Sequence, residues 1–134
     1  MKKMIKLIAL ALVLTLSVVM LASCNAPNSN PEKAVAALEK NGYTAGHDES
    51  SISALFAGID PKDVTDVVTA YKRVGINIDS ITIIYFEDTD AAKDAWEEIK
   101  KEIEDEIDED SGYVVEKSGK MIWFGTEDAV KAAK

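Results

Sequence analysis

Residues 80–87 read Ser-Ile-Thr-Ile-Ile-Tyr-Phe-Glu, and residues 88–103 read Asp-Thr-Asp-Ala-Ala-Lys-Asp-Ala-Trp-Glu-Glu-Ile-Lys-Lys-Glu-Ile. The first stretch carries apolar side chains at both alternating sets of positions, which predicts a strand buried on both faces. The second begins with residues that cap helices and then places four apolar side chains on one helix face: Ala92, Trp96, Ile99 and Ile103. The sequence therefore predicts a central strand followed by a helix that packs on the sheet, with Trp96 in its buried stripe.

The C-terminal part predicts a β-hairpin followed by a short helix. Residues 113–117 and 120–125 have the composition of strands, and Ser118-Gly119 predicts a two-residue turn in which glycine supplies the positive φ. This register sets Val115 opposite Ile122 and Tyr113 opposite Phe124. A last helix is expected to begin at Thr126, because acidic residues follow in its first turn.

The part before the central strand predicts a helix, an extended segment and a short helical stretch. Asn30-Pro31 and Asn41-Gly42 bound a helix over residues 31–41. Residues 43–48 look extended. Ile52, Leu55 and Phe56 have helical spacing, which suggests one or two turns that end at Gly58.

The sequence pattern of residues 61–73 fits either a helix or a strand. Val64, Val67, Val68 and Tyr71 fit one face of a helix. The density of β-branched side chains favours a strand, because these side chains pack better on a pleated surface.

These elements predict one α+β domain over residues 31–134. We expect an antiparallel sheet of four or five strands with helices packed mainly on one face, and a ferredoxin-like arrangement is one form of it. The sequence has no internal repeat that would suggest a second domain. The 111 residues from Cys24 onward are enough for one domain and not for two.

The N-terminus carries the clearest functional signal. A basic head with Lys2, Lys3 and Lys6 precedes fifteen uncharged residues, Leu7 to Leu21, and Leu21-Ala22-Ser23-Cys24 closes this run. This layout is typical of a cleaved secretory signal, because the apolar run is shorter than the ~20 residues of a comfortable membrane span.

The tetrapeptide resembles the lipobox of bacterial lipoproteins. That resemblance implies cleavage after residue 23, lipidation of Cys24 and attachment to the extracytoplasmic face of the cell membrane. Residues 24–30 would then form the lipidated cysteine and a short polar tether.

The mature part is similar to small, uncharacterised lipoproteins of Gram-positive bacteria. Three features carry this similarity: a Pro-Glu-Lys-Ala helix start at residue 31, the strand that ends at Glu87 before a Trp-bearing helix, and the closing Gly-Lys-Met-Ile-Trp-Phe-Gly hairpin at residues 119–125. The resemblance implies a class of protein and no mechanism.

The charge of the mature chain makes nucleic acid an unfavourable partner. All 24 acidic residues follow Cys24, whereas three of the 15 basic residues precede it, so the mature chain carries about −12. Cys24 is the only cysteine, and its lipidation would leave no thiol for disulfides or catalysis.

Two groups of residues suggest metal chemistry, and each is explained more simply as a segment whose charged side chains are in water. His47 is the only histidine and precedes Asp48 and Glu49, but successive side chains on an extended segment point in opposite directions. The acidic run over residues 102–110 does not fit the EF-hand pattern, because Ile107 would occupy its first ligand position. We therefore predict no cofactor, no metal site and no catalytic residue.

The remaining candidate is a partner surface formed by Tyr85, Met121 and Trp123. If helices cover only the opposite face of the sheet, these side chains form an exposed apolar patch. The alternative is that the short terminal helices cover this face as well. Since Glu116 lies beside Trp123 on the same face, we expect Trp123 to be partly exposed.

The sequence thus predicts a lipid-anchored, non-enzymatic binding or accessory module that contacts another envelope protein or a small ligand. The alternative is a small hydrolase or low-affinity cation-binding protein that uses the carboxylates of residues 102–110.

Overall fold

The fold is taken from a computed structural model, which describes residues 26–48, 56, 58–106 and 112–134. Predictions for the signal peptide, for Cys24, for the helical turns before Gly58 and for the end of the acidic run lie wholly or mostly outside these residues.

The described residues form three α-helices, one 3-10 turn and five strands. The elements are α1 (Pro31–Lys40), β1 (Thr44–His47), a 3-10 turn (Pro61–Asp63), β2 (Val64–Val74), β3 (Asn77–Phe86), α2 (Thr89–Glu106), β4 (Tyr113–Ser118), β5 (Met121–Thr126) and α3 (Glu127–Ala132).

Local sequence signals explain where these elements begin. Asn30 caps α1, since its side chain accepts a hydrogen bond from the Lys33 backbone N–H at 3.2 Å, and Pro31 occupies the first turn. The segment that left helix and strand open is a strand from Val64 onward. Ten register pairs join it to β3, so sheet pairing agrees with the preference of its β-branched residues.

The five strands form one antiparallel sheet in the order β1-β2-β3-β5-β4. The predicted α+β class and antiparallel sheet are confirmed. Because β5 pairs antiparallel with both β3 and β4, those two strands run parallel, and α2 connects them. This is one β-α-β unit with a strand inserted between its two strands. A ferredoxin-like fold interleaves two such units, so the likeness extends only to this part of the chain.

The register of the closing hairpin differs from the predicted one. The turn is Gly119-Lys120, and Val115 pairs with Phe124, not with Ile122. Gly119 has a φ of 58°, so it supplies the left-handed conformation that the turn needs. The observed register is shifted by two residues from the predicted register, so each side chain keeps its predicted face.

Helices cover both faces of the sheet, which corrects the expectation of one main face. On the first face α1 and α3 enclose a core built on Ile83 and Trp123. On the second face α2 packs over Ile84 and Ile122. Neighbouring residues of β3 and β5 thus enter different cores, because successive side chains of a strand point to opposite faces.

Trp96 is only half-buried, so its prediction as a central core residue is wrong. The buried stripe of α2 consists of Ala92, Ala95, Ile99 and Ile103. Trp96 lies one position beyond Ala95, about 100° around the helix, and therefore packs at the edge of this core. The Lys100 ammonium lies 5.9 Å from the centre of its ring.

The first described residues belong to the folded domain. Pro27 is buried and Ala26 packs against the first core. The Asn28 backbone N–H donates to the carbonyl of Ala133 at 2.8 Å. The expected short polar tether over residues 24–30 is therefore corrected for residues 26–28, which belong to the folded domain.

Candidate functional site

The three residues predicted as a partner surface lie in the first core. Their side chains are 4% (Tyr85), 7% (Met121) and 1% (Trp123) exposed. The partial exposure expected for Trp123 is wrong, because α1 and α3 cover this face of the sheet. Glu116 lies on the edge strand β4, where it reaches water without exposing the indole beside it.

The surroundings of Trp123 indicate a packing role. Within the described residues its indole N–H is buried and has no hydrogen-bond partner. A buried donor of this kind has a free-energy cost, which the apolar contacts of the large ring must offset.

Tyr85 has a structural hydrogen bond as well. Its hydroxyl donates to the Asn28 carbonyl at 2.8 Å and so fixes the start of the domain. Burial, together with the nearby Asp66 carboxylate, raises the pKa of the Tyr85 phenol above its ordinary value. The hydroxyl therefore keeps its proton at neutral pH and remains a donor.

His47 contacts a carboxylate that the sequence did not suggest. Its Nδ1 lies 2.7 Å from the Asp66 carboxylate, which also accepts a hydrogen bond from the Val67 backbone N–H at 2.9 Å. The pair lies where β1 meets β2. Within the described residues no group of three or more His, Cys, Asp or Glu side chains could hold a metal ion.

The acidic run is described only in part. Glu102, Glu104, Asp105 and Glu106 lie on the last turns of α2, and residues 108–110 lie outside the described residues. The cation-binding alternative therefore stays a prediction.

The most conspicuous surface feature is the end of the β2–β3 hairpin, defined here as the hairpin tip (residues 71–79). Four of its apolar side chains face water, with exposed fractions of 57% (Tyr71), 49% (Val74), 100% (Ile76) and 55% (Ile78). Together they leave a few hundred Å² of apolar surface in solvent, which is the size of patch that often has a function.

The hairpin tip is exposed because the neighbouring strands are shorter than β2 and β3. On one side, β1 begins at Thr44, opposite Tyr71. On the other side, the pairing of β5 with β3 extends only to Ile81, opposite Gly125. Beyond these positions β2 and β3 pair only with each other. A two-residue turn, in which Gly75 has a φ of 66°, closes the ribbon.

Apolar side chains lie on both sides of this ribbon. Arg73 pairs with Ile78 and Tyr71 with Ser80, which places Tyr71 and Ile78 on the face towards α2. Val74 pairs with Asn77 and lies on the opposite face. Ile76 occupies the turn itself. The arrangement is a protrusion that is apolar on two sides, not a flat patch.

The hairpin tip is also more basic than the rest of this acidic chain. It contains Lys72 and Arg73 against one carboxylate, Asp79. The Lys72 ammonium donates to the Asn41 carbonyl at 3.1 Å and lies 5.5 Å from the centre of the Tyr43 ring. Lys72 therefore ties the base of the hairpin tip to the end of α1, and Arg73 remains exposed.

Comparisons with protein families, curated proteins and solved structures gave no match to this chain. Among the described residues, no helix has the length and apolar character needed to cross a membrane.

The hairpin tip was not among the predicted sites, although the sequence contains a signal for it. In Val74-Gly75-Ile76-Asn77-Ile78 an isoleucine occupies a hairpin turn, where polar residues are usual. An apolar residue at such a position is exposed wherever the ribbon extends past its neighbours.

Proposed function

We propose that this chain is a lipid-anchored lipoprotein of the cell envelope that acts as a non-enzymatic binding or accessory module. The anchor is supported by the Leu21-Ala22-Ser23-Cys24 lipobox, which follows a basic head and an apolar run. Two or more acyl chains on one cysteine would hold the protein stably at the membrane, at ~0.8 kcal/mol for each buried CH₂. The location that follows is the extracytoplasmic face of the cell membrane.

The observation that carries the binding role is the exposure of Ile76 and its apolar neighbours at the hairpin tip. Ile76 buries no surface and the other three side chains leave about half of theirs in water, so they add less to the stability of the domain than core residues do. A ribbon with polar residues at the same positions would fold as well. Their apolar character is therefore better explained by a contact with another molecule.

The shape and charge of the hairpin tip favour a protein partner. A narrow protrusion that is apolar on both sides fits a cleft, in which each side meets a wall. Two copies of a convex tip are not self-complementary, which makes a symmetric dimer through this element unfavourable. Arg73, exposed beside Ile78, would complement an acidic rim on the partner.

The test compares three forms of the full-length protein in pull-downs from detergent-solubilised membranes of the native host. These are wild type, the double variant Ile76→Ser with Ile78→Ser, and the control Ala36→Ser at an exposed position of α1. We expect wild type and the control to retain the same defined protein in stoichiometric amount, and the double variant to lose it. Equal recovery of the partner protein by the double variant would exclude the hairpin tip as the binding surface. Turnover of a substrate by the purified domain, with no partner recovered, would overturn the non-enzymatic role.

The anchor is tested separately by intact-mass measurement of the mature protein. The expected N-terminus is an acylated Cys24, and Cys24→Ser should remove the acyl mass. A mature chain that begins at another residue, or one without added acyl mass, would contradict the lipobox.

A further inference from the structure

The domain begins almost immediately after the proposed lipidation site. Ala26 and Pro27 pack on the domain, and Asn28 is held by hydrogen bonds to Ala133 and Tyr85. Only Asn25 separates Cys24 from Ala26. Two residue steps span at most about 7 Å, so an acylated Cys24 leaves the domain little freedom to move away from the bilayer or to turn over.

Asn28, four positions after the proposed attachment point, lies towards the end of the sheet opposite the hairpin tip. Asn28 contacts Tyr85 near the end of β3, and nine positions separate Tyr85 from Ile76. At ~3.3 Å per strand residue, this separation is about 30 Å. The ten residues of α1 run ~15 Å in the same direction, from beside Asn28 to Asn41, whose backbone carbonyl accepts from the Lys72 ammonium.

The attached end has a mixed surface charge that suits a neutral lipid surface. The 3-10 turn and the β4–β5 turn both lie there, since the Glu87 backbone N–H donates to the Asp63 backbone carbonyl and the Phe86 backbone N–H donates to the Lys120 backbone carbonyl. The exposed charges of these turns include Lys62, Asp63 and Lys120. Asp60, Glu87 and Asp88 are exposed at the same end, so carboxylates outnumber ammonium groups there, and a zwitterionic bilayer neither repels nor strongly attracts this end.

We infer that the anchored domain stands on the bilayer with its Asn28 and Lys120 end against the lipid headgroups and its hairpin tip about 30 Å away, facing outward. This rests on the proposed lipidation of Cys24. The hairpin tip is then presented to proteins of the envelope and not to the membrane that holds the anchor.

The inference is tested by measuring which parts of the lipidated protein approach lipid headgroups. Acylation consumes the thiol of the only cysteine, so one introduced cysteine can carry a fluorophore without a competing site. Three single variants are used: Lys120→Cys at the attached end, Ile76→Cys at the hairpin tip and Ala36→Cys on the outer side of α1. Each is labelled and reconstituted in phosphatidylcholine vesicles that contain a headgroup nitroxide quencher.

We expect the label at residue 120 to be quenched several-fold more strongly than the label at residue 76, with residue 36 between them. Equal quenching at residues 36 and 76 would mean that the domain lies on its side, and stronger quenching at 76 would mean that the tip contacts the lipid. Either result overturns the inference. Intact mass on the same samples separates the two proposals: missing acyl mass overturns the anchor itself, whereas acylated protein with the wrong quenching order overturns only the orientation.

Discussion

The two ends of the β2–β3 ribbon differ sharply, although both are rich in apolar residues. Towards the end of β3, Ile83 and Ile84 are 0% exposed, because α1 and α3 cover one face and α2 covers the other. At the hairpin tip, Ile76 is 100% exposed and Ile78 is 55% exposed. The same ribbon thus contains isoleucines that are enclosed in the core and isoleucines that remain largely in water. This difference identifies the hairpin tip as the part to test for binding.

Trp123→Ala should have the largest effect on the buried end. The indole is almost fully enclosed, so its removal should lower the free energy of unfolding by ~3–5 kcal/mol, a large share of the stability of a small domain. Urea denaturation followed by circular dichroism measures this. Trp123→Phe should lower the free energy of unfolding by less, because it keeps an aromatic ring and removes the unpaired N–H. A loss below about 1 kcal/mol for Trp123→Ala would contradict its place in the core.

Gly125→Ala should come next. A methyl group at this position would collide with the Ser80 carbonyl and the Ile81 Cα, which are backbone atoms of the paired strand. The expected cost is ~1–3 kcal/mol, measured by thermal unfolding. Gly46→Ala is the matched control, because a methyl group there meets open space, and it should change stability by less than about 0.5 kcal/mol. Equal effects of the two substitutions would show that β3 and β5 are not packed as described.

Trp96→Ala should cost less than Trp123→Ala despite the identical change. Trp96 is half-buried at the edge of the second core, so we expect a loss of ~1–2 kcal/mol in the same urea assay. A loss equal to that of Trp123→Ala would show that Trp96 is a central core residue after all.

Glu116→Gln should raise stability at neutral pH and leave it unchanged in acid. Partial burial, with a contribution from Glu127, raises the pKa of the Glu116 carboxyl above its ordinary value. The folded state then favours the protonated form. The contribution of the Glu116 carboxyl to stability is complete below its unfolded-state pKa and is lost as the pH rises through its folded-state pKa. Thermal unfolding of both proteins at pH 3.5 and pH 7 checks the sign, and a benefit in acid alone would contradict it.

Ile76→Ala should have the smallest effect on stability. The side chain is fully exposed, so the free energy of unfolding should change by less than about 0.5 kcal/mol. The matched substitution Ile83→Ala in the same ribbon should cost ~2–5 kcal/mol. Equal losses in the urea assay would remove the distinction between the two ends of the ribbon.

Local patterns predicted the elements well because the signals lie within a few residues of each other. The capped α1, the central strand and the amphipathic α2 follow from Asn30-Pro31, from the run at residues 80–87 and from apolar spacing. What the sequence could not predict depends on how far neighbouring elements reach. Trp123 is buried by α3 together with α1, which is remote from it in sequence. Ile76 is exposed because β1 and β5 stop short of it. Alternation shows which face a side chain is on, but not whether anything covers that face.

The hydrogen bonds that hold Asn28 have a consequence for timing. They join Asn28 to Ala133 and to Lys134, across 106 positions in the second case. A chain that emerges N-terminus first cannot make these contacts until residues 133 and 134 have left the ribosome and, under the proposed secretion, crossed the membrane. Until then, Asn28 lacks these two contacts, and under the proposed lipidation the neighbouring thiol remains accessible to the acylating enzyme. Closure of the fold around Asn28 would then follow the attachment of lipid.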